Sequence, residues 1–170
     1  MGSRMREITR DWGHHQVDAL GLFLFVVAQA QARGVQVIRH NRDKELLQHI
    51  VGYLTAVRCF DLPDNGMWEE NMELHASSVG AALAGLRAVK TQGLTVVSDE
   101  LIRHGTEALF KILPNESSDR EVDLSQLSLI FPYRLLPPEL SHVIIERITR
   151  TLVQKNGINR YLGDNYYRSE

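Results

Sequence analysis

The sequence has 170 residues, 24% of them charged and 44% hydrophobic, a mixture that fits one globular domain and excludes a disordered chain. With 19 Lys and Arg against 21 Asp and Glu, the formal net charge is -2. No broad attraction to a phosphate backbone exists, and nucleic acid is excluded as a partner.

Residues 1–11 read as an N-terminal tail or a leftover of expression, without the apolar segment and small-residue cleavage site of a secretion signal. Beyond them, apolar residues recur at helical spacing almost everywhere. A first helix is predicted from His15 to Arg33, apolar on nearly all sides as in a buried helix, with Gly34 as its stop. Its longest apolar stretch, Ala19 to Ala28, is far short of the roughly 20 residues of a membrane span, so a core helix and no membrane are expected. The second helix, Asp43 to Phe60, sets Leu46, Leu47, Ile50, Val51, Leu54 and Val57 on one face, with His49 and Arg58 off it. That is the pattern of an outer layer. Cys59, the only cysteine, admits no internal disulfide and suits a buried small residue in a reducing compartment, so a cytoplasmic location is expected.

The third helix starts at Ala76 or Ser77 and carries Val79, Ala82, Leu83, Leu86 and Val89, while Ala81, Ala84 and Gly85 leave room for a close neighbour before Gly93 ends it. Ser98 is an N-cap for a fourth helix with Leu101, Ile102, Ala108, Leu109 and Ile112, closed by Pro114; Asp99 and Glu100 complement its dipole. Asp123 to Ile130 reads as a short apolar helix stopped by Pro132, although its length also permits a strand. Pro138 opens a last amphipathic helix with Leu140, Val143, Ile144, Ile148 and Leu152, which ends before Gly157.

A row of antiparallel helical hairpins alternates its connections between two ends of a layered all-α structure. The parity sends Trp12 to Asp18, the loop Asp61 to Met72, the loop Pro114 to Val122 and the segment Gly157 to Tyr167 to one rim, provided that Asp123 to Ile130 crosses the layer. That rim gathers Trp12, His14, His15, Gln16 and Asp18 with Asp61, Asp64, Trp68, Glu69 and Glu70, then with Arg160, Tyr161, Asp164, Tyr166 and Tyr167. Both tryptophans of the chain are among them. Sugars present apolar C–H faces and a ring of hydroxyls, so flat aromatics beside carboxylates, amides and arginines suit a carbohydrate. Glycoside hydrolysis also needs two carboxyl groups, one of them a proton donor, and a carboxyl shielded by an indole keeps its proton more readily. Trp68 beside Glu69 supplies that pairing in sequence. The bland alternatives are a solvated acidic turn, Asp18 as a partner of its helix dipole, and Arg160 with Asp164 as a structural ion pair. Adjacent His14 and His15 point in different directions and lack a compact ligand set, so neither metal nor cofactor is expected.

Trp12-Gly13-His14-His15-Gln16-Val17-Asp18 resembles the Trp-Gly-x-x-Gln-x-Asp segment of glycoside hydrolase family 15, which includes glucoamylase and glucodextranase, and of the related domain in phosphorylase kinase alpha and beta regulatory subunits. Gly66-Met67-Trp68-Glu69 is similar to that family's Gly-x-Trp-Glu segment. Leu74-His75-Ala76-Ser77-Ser78-Val79-Gly80 resembles the Leu-Asn-Ala-Ser-Ser-Val-Gly run of the phosphorylase kinase version, with His75 in place of Asn. Arg160-Tyr161-x-x-Asp164-x-Tyr166 is similar to the family's Arg-Tyr-x-x-Asp-x-Tyr loop.

The resemblance runs from Trp12 to Tyr167 and implies part of an (α/α)6 toroid across residues 12–170. It implies Glu69 as the general acid, Trp12 and Trp68 packed on an α-linked glucose oligosaccharide or polysaccharide, and Gln16, Asp18, Glu70, Arg160 and Asp164 as binders or organisers of hydroxyl contacts. It gives no residue for the second catalytic carboxylate, and six helices do not close a ring of twelve. The leading expectation is an inverting α-glucosidase-type domain. A non-catalytic glucan-sensing or regulatory domain is the alternative, and a helical scaffold with a vestigial pocket is the third reading. Half a toroid should also leave an apolar face uncovered, so self-association or a partner chain is expected.

Overall fold

The computed structural model describes residues 15–164. Its helices are α1 (Val17–Ala32), α2 (Asn41–Ala56), α3 (Ala76–Thr91), α4 (Asp99–Ile112), a 3-10 turn at Leu124–Gln126 running into α5 (Leu127–Ile130), and α6 (Pro138–Leu152). Among the described residues, the sheet content is a single antiparallel hairpin of β1 (Val153–Gln154) with β2 (Gly157–Ile158) and two isolated bridges. The all-α reading of the periodicity therefore holds, including the short helix before Pro132.

Helix α3 is the centre of the layer. Twelve of its 16 residues are buried, which an amphipathic surface helix cannot achieve. Helix α1 lies directly against it. A Cβ on Gly21 would stand 2.4 Å from the Ala81 carbonyl carbon, and one on Gly85 would stand 2.3 Å from the Gly21 oxygen. The two backbones touch because side chains are missing at the crossing. Residue numbers rise together along both helices, Gly21 meeting Ala81 and Phe25 reaching the level of Ala84, so α1 and α3 run parallel with their N-termini at one end. On the other flank of α3, Leu129 of α5 is fully buried above Gly80, where an added Cβ would meet its Cδ2 at 2.0 Å.

The remaining helices are one-sided, as their spacing predicts. Leu47, Val51 and Leu54 of α2, Ala108 and Leu109 of α4, and Ile144, Ile148 and Leu152 of α6 face inward. Ser98 caps α4 by accepting the Leu101 N–H at 3.1 Å. Helix α2 begins two residues before the expected Asp43, because the Asp43 carboxylate reaches back to the N–H groups of Arg39 and His40 at 2.8 and 2.9 Å and so sits inside the first turn. It ends at Ala56, not Phe60, since Arg58 turns the chain with φ 52°. Cys59 is buried just beyond it, and burial pushes its thiol up to about 12, an unreactive state.

One expectation needs correction. Helix α1 is not buried on all sides. Leu22, Phe23 and Val26 are 43%, 45% and 53% exposed, an apolar stripe at helical spacing on the side turned away from α3. Among the described residues, no helix is long and apolar enough to cross a membrane.

The contact between α1 and α3 makes a direct prediction. Gly21→Ala should destabilise the fold by about 3 kcal/mol, since the added methyl meets rigid backbone and not a movable side chain. Gly52→Ala, at an exposed position of α2 with open space around it, should instead stabilise by about 0.5–1 kcal/mol through helix propensity. Urea denaturation midpoints of the two variants check both signs.

Candidate functional site

The loop between α2 and α3 folds back on itself before it reaches the rim. Asp64 and Glu73 exchange backbone hydrogen bonds of 2.9 and 3.1 Å and close its base. Above that base, Glu70 N–H donates to the Asn65 carbonyl and Glu69 N–H to the Gly66 carbonyl, giving a tight turn. Gly66 has no substitute here: its φ is 64°, and a Cβ would sit 2.8 Å from the His75 ring that lies beneath it. At the turn's tip Glu69 takes φ 57°, an uncommon conformation for a residue with a side chain. Its Oε1 accepts a 3.1 Å hydrogen bond from the Gln16 amide.

The start of α1 is stitched to this turn. Asn65 N–H donates to the His15 carbonyl, His15 N–H to Asn65 Oδ1, and Val17 N–H to Asp64 Oδ2 at 2.9 Å. From the far side, the two later rim segments join it. The Trp68 indole N–H donates to Oδ1 of fully buried Asp123 at 2.9 Å. Arg120 bridges two carboxylates, with Nη1 on Asp123 at 2.9 Å and Nη2 on Glu70 at 3.0 Å, and its guanidinium lies 3.8 Å over the Tyr161 ring. The Tyr161 hydroxyl donates to Glu70 Oε1 at 2.6 Å. Arg160 pairs with Asp164 through two bonds of 2.9 and 2.7 Å, and its guanidinium stands 5.1 Å over the Trp68 ring. Asp123 and Tyr161 form a backbone bridge that fixes the last segment to the third.

Below the turn lies a buried ionic layer at the N-termini of α1 and α3. Glu116 is 1% exposed and accepts from the Ser77 hydroxyl at 2.5 Å. His75 places Nε2 3.2 Å from the Asn71 carbonyl, which can only accept, and Nδ1 3.5 Å from Glu116. Burial alone would push His75 down, but the hydrogen bond and charge of Glu116 outweigh it and hold the imidazole up at about 9. Burial raises Glu116 and Asp64 above the usual carboxylate range, against hydrogen bonds from His75 and Val17 respectively. Asp18 is raised to about 6 by burial and by the neighbouring Asp64 charge. Its Oδ1 is buried without a hydrogen-bond partner among the described residues, an arrangement that favours a protonated carboxyl.

The structure thus brings Gln16, Trp68, Glu69, Glu70, Arg160 and Asp164 together at one rim, and Asp18 lies beneath them. Arg160 lies at the end that the parity of the connections predicts, but α5 is only four residues long and packs over Gly80 near the start of α3, so it does not span the layer by itself. Trp12, with His14, Tyr166 and Tyr167, lies outside the described residues. Two details differ from expectation. Glu69 is exposed, because the Trp68 indole turns its N–H toward Asp123 and does not shield the neighbouring carboxyl. Glu70 has both oxygens engaged by Tyr161 and Arg120. Sequence reasoning missed Arg120, Asp123, His75 and Glu116. The available signal was the Asp-x-x-Gln capping pattern at Asp123 to Gln126, which locates a helix start and says nothing of an indole.

A sequence profile for glycosyl hydrolases family 15 matches residues 5–107. The probable phosphorylase b kinase regulatory subunit alpha of Caenorhabditis elegans is 34% identical over 176 residues, covering 92% of this chain and 14% of that protein. The liver isoform of the same subunit from Oryctolagus cuniculus is 34% identical over 175 residues, covering 91% and 14%. A glycosidase variant solved in complex with glucose superposes with a TM-score of 0.68 at 25% identity, covering 88% of this chain and 43% of that one. The chain therefore spans about a seventh of the length of these curated relatives.

The raised Asp18 carboxyl sets a pH dependence whose sign follows from linkage. Its folded pKa of about 6 lies above the ordinary 3.8, so its favourable contribution is complete below pH 3.8 and is lost as pH rises through 6. Asp18→Asn should match the parent in stability near pH 3.5 and exceed it by about 2–3 kcal/mol at pH 8. Urea melts at the two pH values measure the gap, and an equal gap at both refutes a protonated Asp18.

Proposed function

The chain belongs to glycosyl hydrolases family 15, and from that premise we propose that it recognises an α-linked glucan in a regulatory role, with hydrolysis as the second reading. The observation that carries the proposal is the braced turn at Trp68 and Glu69. It presents an aromatic ring, a carboxylate, the Gln16 amide and the Arg160 guanidinium from three separate segments at one rim. That set suits the apolar face and the hydroxyl ring of a glucose unit.

Two features favour regulation. The relatives that match over nine-tenths of the chain are regulatory subunits by their names. The rim carboxylates around Glu69 are also committed elsewhere. Glu70 is tied to Arg120 and Tyr161, Asp123 to Trp68 and Arg120, and Asp164 to Arg160. An inverting glycosidase needs one carboxyl to protonate the leaving oxygen and another to activate water on the opposite face. In the second reading Glu69, exposed at the tip of its turn, is the general acid, and the solved glycosidases of like fold favour that role.

On either reading residues 12–170 are part of a toroid in carbohydrate metabolism in the cytoplasm. The exposed stripe of Leu22, Phe23 and Val26 is then where a second copy or a partner chain packs. Phe23→Glu should lower any concentration-dependent association seen by sedimentation velocity. A stripe variant that associates as the parent does removes this surface from consideration.

Calorimetric titration with maltose and longer malto-oligosaccharides, beside an assay of glucose release, separates the two roles. The expected result is saturable binding without glucose release. Glu69→Gln should then keep the parental affinity within about threefold, while Gln16→Ala weakens it by about tenfold. Glucose release that Glu69→Gln lowers by about 10²–10⁴-fold establishes the hydrolytic role instead.

A further inference from the structure

We infer that Arg120 and Asp123 are positioning residues for the turn of Trp68 and Glu69: one guanidinium bridges Glu70 and Asp123 while Asp123 holds the Trp68 indole, so both neighbours of Glu69 are fixed from a different loop. The inference rests on the sugar-site reading above and deepens it.

Glu69 sits at φ 57°, where a residue with a side chain stays only if its surroundings hold it there. The turn's own backbone bonds close it but do not set its orientation toward the rim. Orientation comes from the side chains on either side of Glu69. Trp68 is held at its edge by Asp123 at 2.9 Å and faced by Arg160 at 5.1 Å. Glu70 is held by Arg120 at 3.0 Å and by Tyr161 at 2.6 Å. Arg120 joins the two anchors, since its Nη1 and Nη2 reach Asp123 and Glu70 at the same time. That geometry needs a planar fork. A lysine ammonium is a compact point charge on a flexible stem and does not reproduce the bridge. Asp123 is itself fixed by the Ser125 N–H at 2.8 Å, so the anchor is rigid at its root.

The test separates positioning from mere stability. Two variants keep the fold's charge or shape. Arg120→Lys retains the cation without the fork, and Asp123→Asn retains an oxygen that can accept from the indole without the charge. The Trp68 indole N–H resonance is read in a Trp12→Phe background, where it is the only indole in the chain. Maltose affinity is read with Trp12 in place. Both variants should keep their helical circular dichroism, move the Trp68 resonance, and lose about tenfold in maltose affinity. Variants with an unmoved resonance overturn the inference, and so does a moved resonance with parental affinity. A parent protein that binds no maltose overturns the sugar-site reading, and with it the inference that these residues position a sugar site. The moved resonance would then mark only a structural anchor.

Discussion

Everything at the rim depends on how closely α1 and α3 approach each other. Gly21 and Gly85 let the two backbones meet, and a parallel pair so joined places both N-termini at one end of the layer. The segment before α1 and the loop before α3 then share that end, which is why Asn65 meets His15 and Asp64 meets Val17. A single methyl at the crossing would force the helices apart and separate Gln16 from Glu69. The glycines therefore position the site from a distance, through backbone contact and not through any side chain of their own.

The approach has an electrostatic consequence. Two parallel helices whose N-termini adjoin bring two positive dipole ends together. Carboxylates gather there: Asp18 and Asp64 at the first, Glu116 at the second, where it accepts from the Ser77 backbone and hydroxyl. Burial makes those charges costly unless protons or partners neutralise them. The layer answers with His75, whose imidazole is held up at about 9, and with an Asp18 carboxyl that keeps its proton up to about pH 6. Buried ionic groups of this kind contribute little net stability, but they admit few alternative arrangements, and the turn above them inherits that definition.

Much of this was legible in the residues, and the reasons for the remainder are physical. Helical periodicity, the Ser98 cap and the stops at Gly93 and Pro114 are local signals, so they gave α3 and α4 nearly to the residue. Counting hairpins was enough to bring Trp68 and Arg160 to one rim, because parity is a topological property that needs no atomic detail. Burial of α1 was misread, since an apolar residue looks alike whether its partner is present or not, and Leu22, Phe23 and Val26 carry no mark of exposure. Arg120 and Asp123 were passed over for a different reason. A charged residue in a polar loop is the commonest pattern of a solvated surface, and only the fold reveals that Asp123 is buried beneath an indole 55 positions away. The exposure of Glu69 was likewise hidden, because adjacency to a tryptophan in sequence does not decide which way the ring turns.

The separations within the network also order events in time. Trp68 meets Asp123 across 55 positions, and Glu70 meets Tyr161 across 91. The helices, by contrast, close through neighbours three or four residues apart. Contacts of such different range do not form together, because each long loop must be closed at an entropic cost before its contact returns any free energy. Single helices close through local contacts alone, whereas the rim, like the crossing of Gly21 on Ala81, needs distant parts of the chain to be brought together. Trp68 and Glu70 are therefore fixed only once residues as distant in sequence as Asp123 and Tyr161 have folded back onto them.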